Sequence, residues 1–464
     1  MTIRHRFGFA RPALGCALAL LLGGYTHHVT ASDVFDAPDA DFKAQVRATT
    51  RLVVPGSEVE FSGRDFKPGQ RVTLLRGETV LGQPNVVDAQ GNFNAKITVP
   101  ADAAPGRHPI LVRADNPDAA MVTELKVSPS IPQSGAGRFD TTTAKLVQGL
   151  YQTAYSPKND VLFVTAAVGR PPVRQSQLLK VDPKTLKILA QITPAKVPNH
   201  DDGRVYAIYG VGVDDVNGNV WITNTREDTV AVYRQSDLSL VKQFDVGAVP
   251  HSRDAIVDQR RGKAYVTPVT KSQLAVFDAR TLEPLQPIAI KSTVEGEDFV
   301  PMSLELDEAA GKLYTVSMDT SEAAIIDLPS GTVENVLQLP NAHTASGVAY
   351  DSKRKRLLVA SQGSDNLLIV DLASGKVVHD IPVGAGALNV AYDAGTDLAY
   401  VSNRGAGTVT VVDGDGKIVA NLDGGTYPNH VHEDGKGNVF AVNKSLDAND
   451  PNGDRIMRLT PKRN

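Results

Sequence analysis

LFVTA at 162–166, VWITN at 220–224, AYVTP at 264–268, LYTVS at 313–317, LLVAS at 357–361, AYVSN at 399–403 and VFAVN at 439–443 are seven copies of one pattern. Each joins an apolar or aromatic residue to a small hydrophobic pair and, in most copies, ends on Thr, Ser or Asn. Their central residues, Phe163, Trp221, Tyr265, Tyr314, Leu358, Tyr400 and Phe440, are 58, 44, 49, 44, 42 and 40 positions apart. Short strands recurring every 40–50 residues or so are the mark of a β-propeller, in which each repeat is one blade. The predicted fold is therefore all-β, with a seven-bladed propeller over 139–464. Propellers carry many unrelated activities, so function has to be argued from the sites.

Residues 1–31 are a different object. Arg4, Arg6 and Arg11 precede an apolar run ending at Leu22, and small residues stand before Ser32. A basic head, a short apolar core and a small-residue exit read as a secretory signal peptide, cleaved near Ala31. The run is too short for a permanent membrane span, and the expected location of the mature chain is a periplasm. Cleavage removes three basic residues and the single cysteine, Cys16, leaving 45 basic against 52 acidic residues, a net charge of −7. Without disulfides, stability has to come from apolar burial and sheet closure.

Between 43 and 128, short alternating strands are separated by turn chemistry such as PG at 55–56, KPG at 67–69 and APG at 104–106. The GRDFKPG turn at 63–69 and the DAQGNF hairpin at 88–93 resemble those of bacterial immunoglobulin-like domains, which implies a small β-sandwich here. A Pro/Ser/Gly stretch at 129–138 reads as a linker. In the last repeat a third strand begins at Arg455 and the sequence stops soon afterwards, so the segment 141–147 is expected to supply the missing outer strand and close the ring.

The second-strand motif, the VAYD run at 390–393 and the DNLLIVD run at 365–371 resemble the YVTN-repeat propellers, and within them the YncE-like periplasmic proteins. The resemblance covers roughly 141–460. It implies an exported propeller with no established enzyme activity, and a suggested ability to bind single-stranded DNA.

The loops entering the innermost strands converge on one mouth of the propeller, the default place for a ligand. Tyr151, Gln152, His200, Tyr209, His251, Arg253, Met302, His343, Asn389 and His430 fall on or beside these loops and are the candidate ligand-binding residues. Imidazoles can ligate a borderline metal or bind an anion once protonated. His200, His251, His343 and His430 are therefore the candidate metal ligands, and Asp447, Asn449, Asn452 and Asp454 form a second, oxygen-rich set without EF-hand spacing. No cofactor beyond such a metal ion is implied.

Basic residues cluster on the opposite face, where Arg260, Arg261, Lys353, Arg354, Lys355 and Arg356 fall in hairpins between first and second strands. They are the candidate nucleic-acid contacts, although the acidic net charge and the lack of aromatics for base stacking weigh against that partner. The sequence has no nucleophile elbow, HExxH zinc motif or phosphate-cradling glycine loop. The expected function is non-enzymatic binding of a small ligand, peptide or protein partner at the propeller mouth. A metal-dependent, lactonase-like hydrolase at the same mouth and a single-stranded DNA binder are the alternatives.

Overall fold

The computed structural model describes residues 41–462; the basic head and apolar run at 1–31 lie outside them. Seven four-stranded antiparallel sheets follow one another as blades. Their innermost strands are Leu150–Ser156, Ile208–Asp214, Ser252–Asp258, Pro301–Asp307, Ala345–Asp351, Ala387–Asp393 and Pro428–Glu433. The aromatic or Leu at the centre of each repeated motif is buried in its blade's second strand. Trp221, for example, packs against Phe277 of blade three at 5.5 Å between ring centres, so these residues glue sheet to sheet. The seventh blade is completed by Phe139–Lys145, which pairs antiparallel with Arg455–Pro461. The closing strand begins two residues earlier than its sequence character suggests.

Every innermost strand breaks register once near its start, as between Ile208 and Val211 or between Ala387 and Asn389. Such a bulge leaves a backbone group without its ladder partner. The Thr of the repeated motif repairs this in three blades: Gln152 N–H donates to Thr165 Oγ1 at 3.0 Å, Gly210 to Thr223 at 2.7 Å and Asp254 to Thr267 at 3.0 Å. The hydroxyl in VT and IT is thus a backbone cap.

Counting along each innermost strand, the third residue is Gln152, Gly210, Asp254, Ser303, Gly347, Asn389 or His430. Four of these side chains accept from the fourth residue's N–H in the next blade. Gln152 takes Val211 at 3.1 Å, Asp254 takes Leu304 at 3.0 Å, Asn389 takes Val431 at 2.9 Å and His430 takes Thr153 at 3.4 Å. Where the third residue is glycine, the blades approach backbone to backbone: a Cβ on Gly210 would stand 2.2 Å from the Arg253 carbonyl oxygen, and one on Gly347 2.7 Å from Asn389 Cα.

Ahead of the propeller, two sheets face each other. One joins Gln45–Ala48, Glu58–Arg64 and Phe93–Thr98; the other runs Thr79–Val86, Arg71–Arg76, Gly106–Asp115, Ala119–Val127. Between them lies an apolar core built on Val59, Phe61, Phe66, Leu74, Phe93 and Ile110. Phe66, from the KPG turn, meets Phe93 edge-on at 5.3 Å.

This unit is fastened to the propeller. Lys126 Nζ lies 2.5 Å from Asp365 Oδ1 and 2.9 Å from the Gln362 carbonyl oxygen, and the Asp365 carboxylate, almost fully buried, also accepts from Gly386 N–H at 2.6 Å. The Pro/Ser/Gly stretch read as a linker is laid against blade six, where Ser134 and Asn421 exchange backbone hydrogen bonds and Asn421 Nδ2 donates to the Ile131 carbonyl at 2.9 Å. Its prolines suit an edge that needs few donors.

Gly210→Ala should cost about 1–3 kcal/mol in urea unfolding, because the new methyl meets backbone rather than a side chain that can turn aside. Asp365→Ala should cost on the order of 3 kcal/mol, since it strands a half-buried ammonium and the Gly386 N–H together. Limited proteolysis of that variant should cut first within 129–138.

Candidate functional site

The structure distributes the ten residues expected at the mouth among five places. Tyr151, Tyr209 and Arg253 reach the loop face together, with His251 on its rim. Gln152, Asn389 and His430 are turned sideways, each bonded to the neighbouring blade. Met302 is buried in the packing between blades four and five. His200 is exposed near the Asp202–Arg204 pair, and His343 faces the N-terminal unit, in the cleft lined by Arg107 and Lys126. The four histidines therefore do not converge: among the described residues no group of three or more His, Cys, Asp or Glu side chains is placed to hold a metal ion.

The oxygen-rich set folds onto itself instead. Asp447 caps Asn449 N–H at 2.8 Å, Asp454 takes Gly149 and Ser445 N–H, and the Asn452 carbonyl accepts from Asn443 at 2.6 Å. On the opposite face, carboxylates and carbonyls occupy most of the expected phosphate contacts. Arg354 forks onto Asp397 at 2.7 Å and reaches Asp351, Arg261 bonds Asp258 and the Glu308 carbonyl, Arg356 bonds the Gly414 carbonyl, and Arg260 lies 3.8 Å from Glu308. Lys353, Lys355 and Arg356 form no ion pair among the described residues.

What does assemble on the loop face is a cluster of cations and tyrosines, the loop-face dish. Arg253 crosses from blade three to donate to the Tyr151 hydroxyl of blade one at 3.0 Å. Tyr151 meets Tyr209 edge-on at 4.8 Å, Lys444 Nζ lies 5.0 Å above the Tyr151 ring, and Arg226 lies 5.9 Å from the Tyr209 ring centre. Arg404 bonds the Asn429 side chain, whose Nδ2 donates to the Tyr151 carbonyl at 2.7 Å. Arg226, Arg404 and Lys444 rest on aromatic faces, and Arg253 on a phenolic hydroxyl. Among the described residues none of Arg226, Arg253, Arg404 and Lys444 forms an ion pair.

The acids beneath the dish are committed to backbone N–H groups: Glu227 to Ala207 at 2.9 Å, Asp228 to His251 at 2.7 Å and Asp454 to Gly149 at 2.7 Å. Burial, then the charges of Arg404 and Arg226, push the Lys444 ammonium down to about 8. Burial chiefly, with Arg253 adding to it, also lowers Arg404. Burial first, then Arg226, lowers His251. Arg253 Nε is buried without a hydrogen-bond partner. Cations that depress one another, with a donor left over, mark a place where an anion lowers the energy.

Sequence reasoning missed Arg226, Arg404, Lys444 and Tyr427. A signal for two of them was present. The second strand of each blade climbs toward the loop face, so the residue just after each five-letter motif emerges there. That residue is Ala167, Thr225, Val269, Met318, Gln362, Arg404 or Lys444, and the two charged ones are in adjacent blades.

Below the Tyr151–Arg253 bridge lies a concavity of about 490 Å³, the central channel, lined by third-to-sixth residues of the innermost strands and by Pro157, Gln259 and Glu308 of the opposite face. It holds Asp254, Glu305, His430, His432 and Glu433. Burial, then the facing Glu433 carboxylate, push Glu305 up to about 8; burial pushes His432 down to about 4 and raises Glu433. His430 is held well below its ordinary value by burial, then by His432 and Arg253, which keeps Nδ1 free to accept from Thr153.

A carboxyl raised on folding binds its proton more tightly in the native state, so Glu305 makes stability fall as pH rises from its unfolded value near 4.5 through about 8. Glu305→Gln should remove that slope. Unfolding free energies from urea titration should match wild type at pH 4 and exceed it at pH 8.5 by on the order of 2 kcal/mol.

No family model matches the chain. It is similar to the uncharacterized protein YncE of Salmonella typhi, at 25% identity over 308 residues covering 64% of this chain and 82% of that protein. YncE of Salmonella typhimurium aligns over the same length at 24%. Among solved structures, a streptogramin B lyase superposes with a TM-score of 0.55 at 12% identity, covering 71% of this chain and all of that one. The virginiamycin B lyase of Staphylococcus aureus gives 0.54 at 13%, covering 70% of this chain and all of that one. At such identities the structural likenesses speak for fold alone: this chain carries a β-propeller, and in sequence it is a distant relative of the YncE proteins.

Proposed function

We propose that this protein is a non-enzymatic binding protein whose loop-face dish captures a small anionic ligand. The observation that carries the reading is the convergence of Arg226, Arg253, Arg404 and Lys444 around Tyr151 and Tyr209 with no ion pair formed. In a chain of net acidic charge, such a patch is a local inversion of the field and steers anions toward it. Guanidinium forks favour carboxylate or phosphate oxygens, and the tyrosine faces favour an organic group attached to them. Binding rather than turnover follows from the layout. The channel's carboxyls and imidazoles, the groups suited to proton transfer, lie beyond the Tyr151–Arg253 bridge from a ligand in the dish.

The same reading places the mature protein in a periplasm, on the strength of the basic head and apolar run in its first 31 residues. It takes the N-terminal sandwich as immunoglobulin-like, on its KPG turn and buried Phe66. Among the described residues no helix is long and apolar enough to cross a membrane.

Lys444 gives the reading a pH signature. Its folded value is depressed to about 8 from 10.5, so it is charged at neutral pH and loses its proton well before an ordinary lysine. Anion affinity, read by isothermal titration with inorganic phosphate, should decline as pH rises through about 8. Lys444→Met should weaken binding about tenfold at pH 7 and flatten that decline. Phosphate affinity indifferent to both Lys444→Met and Arg404→Met would remove the proposal.

A further inference from the structure

The dish does not end at the propeller. Arg404 lies over the Tyr427 ring at 4.8 Å, and Arg51 of the N-terminal unit lies over the same ring at 5.2 Å. The two guanidiniums are thus no more than about 10 Å apart. Between the N-terminal unit and blades five to seven runs a groove of about 490 Å³, lined by Arg47, Arg51, Arg404, Tyr427, Thr50 and Gln362 among others.

Like-charged groups gathered on one ring without a counter-charge repel one another. The one carboxylate lining this groove, Glu124, is taken by Arg107 at 2.7 Å. Lys126, also on the wall, is spent on Asp365. Arg47, Arg51 and Arg404 form no ion pair among the described residues, and so resemble the cations of the dish.

Arg404 belongs to both places. It is among the charges that depress Lys444 in the dish, and it lies over Tyr427 in the groove. The wall carrying Arg51 is held in place by the Lys126–Asp365 pair and by the 129–138 segment lying on blade six. Pre-positioned charge of this kind lowers the ordering cost of binding.

We infer that the groove is the second arm of the anion site, and that the ligand is an extended organic dianion with one head in the dish among Lys444, Arg226 and Arg253 and the other between Arg51 and Arg404 beside Tyr427. This rests on the dish being an anion site. It also gives the N-terminal unit a direct part in recognition. Arg51 becomes a specificity residue that selects two-headed ligands over single anions.

The test uses the full mature chain and two kinds of probe in isothermal titration: inorganic phosphate, and the dicarboxylates succinate, adipate, suberate and sebacate. One of the longer dicarboxylates should bind more tightly than phosphate. Arg51→Met should weaken that dicarboxylate about tenfold and leave phosphate unchanged, Arg51→Lys should restore part of the loss, and Lys444→Met should weaken both probes. Arg51 is exposed, and an unchanged melting temperature checks that its variants fold. Phosphate binding that depends on Lys444, with no dicarboxylate affected by Arg51→Met, would overturn the two-headed ligand while leaving the dish standing. Failure of every probe to bind wild type would overturn both.

Discussion

Seven sheets can stand around an axis only if their innermost strands, each of which leaves one ladder, find partners in one another. The bulge near the start of each innermost strand creates that demand, and the third residue of the strand answers it across the seam. An amide, a carboxylate or an imidazole reaches the next blade's N–H at four seams, and glycine lets backbone meet backbone at two others. Each such bond contributes only about 1 kcal/mol. A missing one leaves a buried donor without a partner, which costs more. This is why polar residues line the axis of an otherwise apolar structure.

That constraint explains what could and could not be read from the sequence. The blade repeat was legible because sheet-to-sheet packing asks for the same large residue every time, from Phe163 to Phe440. The turn-forming Asp of each hairpin was legible too: Asp258, Asp307 and Asp351 cap the N–H groups three residues on. Gln152, Asn389 and His430 misled for a physical reason. A polar residue on a loop-proximal strand start reads alike whether it awaits a ligand or serves a neighbouring blade, and only the seam geometry separates the two. Glu305 and His432 escaped notice because they lie within strands, where alternation suggests a buried or solvent face rather than the wall of a channel. The dish itself was half legible, since Tyr151, Tyr209 and Arg253 were expected there, but Arg226, Arg404 and Lys444 leave from the ends of second strands.

The loop face and the channel divide the labour of charge. Cations gather on the loop face, and carboxyls and neutral imidazoles gather in the channel, with the Tyr151–Arg253 bridge between them. The N-terminal unit leans on the loop face over blades five to seven, and brings to the shared groove Arg47 and Arg51 together with one carboxylate, Glu124, already paired with Arg107. The asymmetry of a nearly symmetric ring therefore comes from a few exit residues and one docked neighbour.

The last blade borrows its outer strand from the front of the ring, Phe139–Lys145 against Arg455–Pro461, across more than three hundred residues of chain. Contacts so distant in sequence form late, because the entropy of closing the loop precedes any gain. The dish spans this same seam, with Arg404 from blade six, Lys444 from blade seven and Tyr151 from blade one. A molecule held there bridges the first and last blades, so its binding energy adds to the free energy of circularising the ring. Occupancy would act as a clasp, slowing the fraying of the two chain ends from which unzipping of a propeller begins.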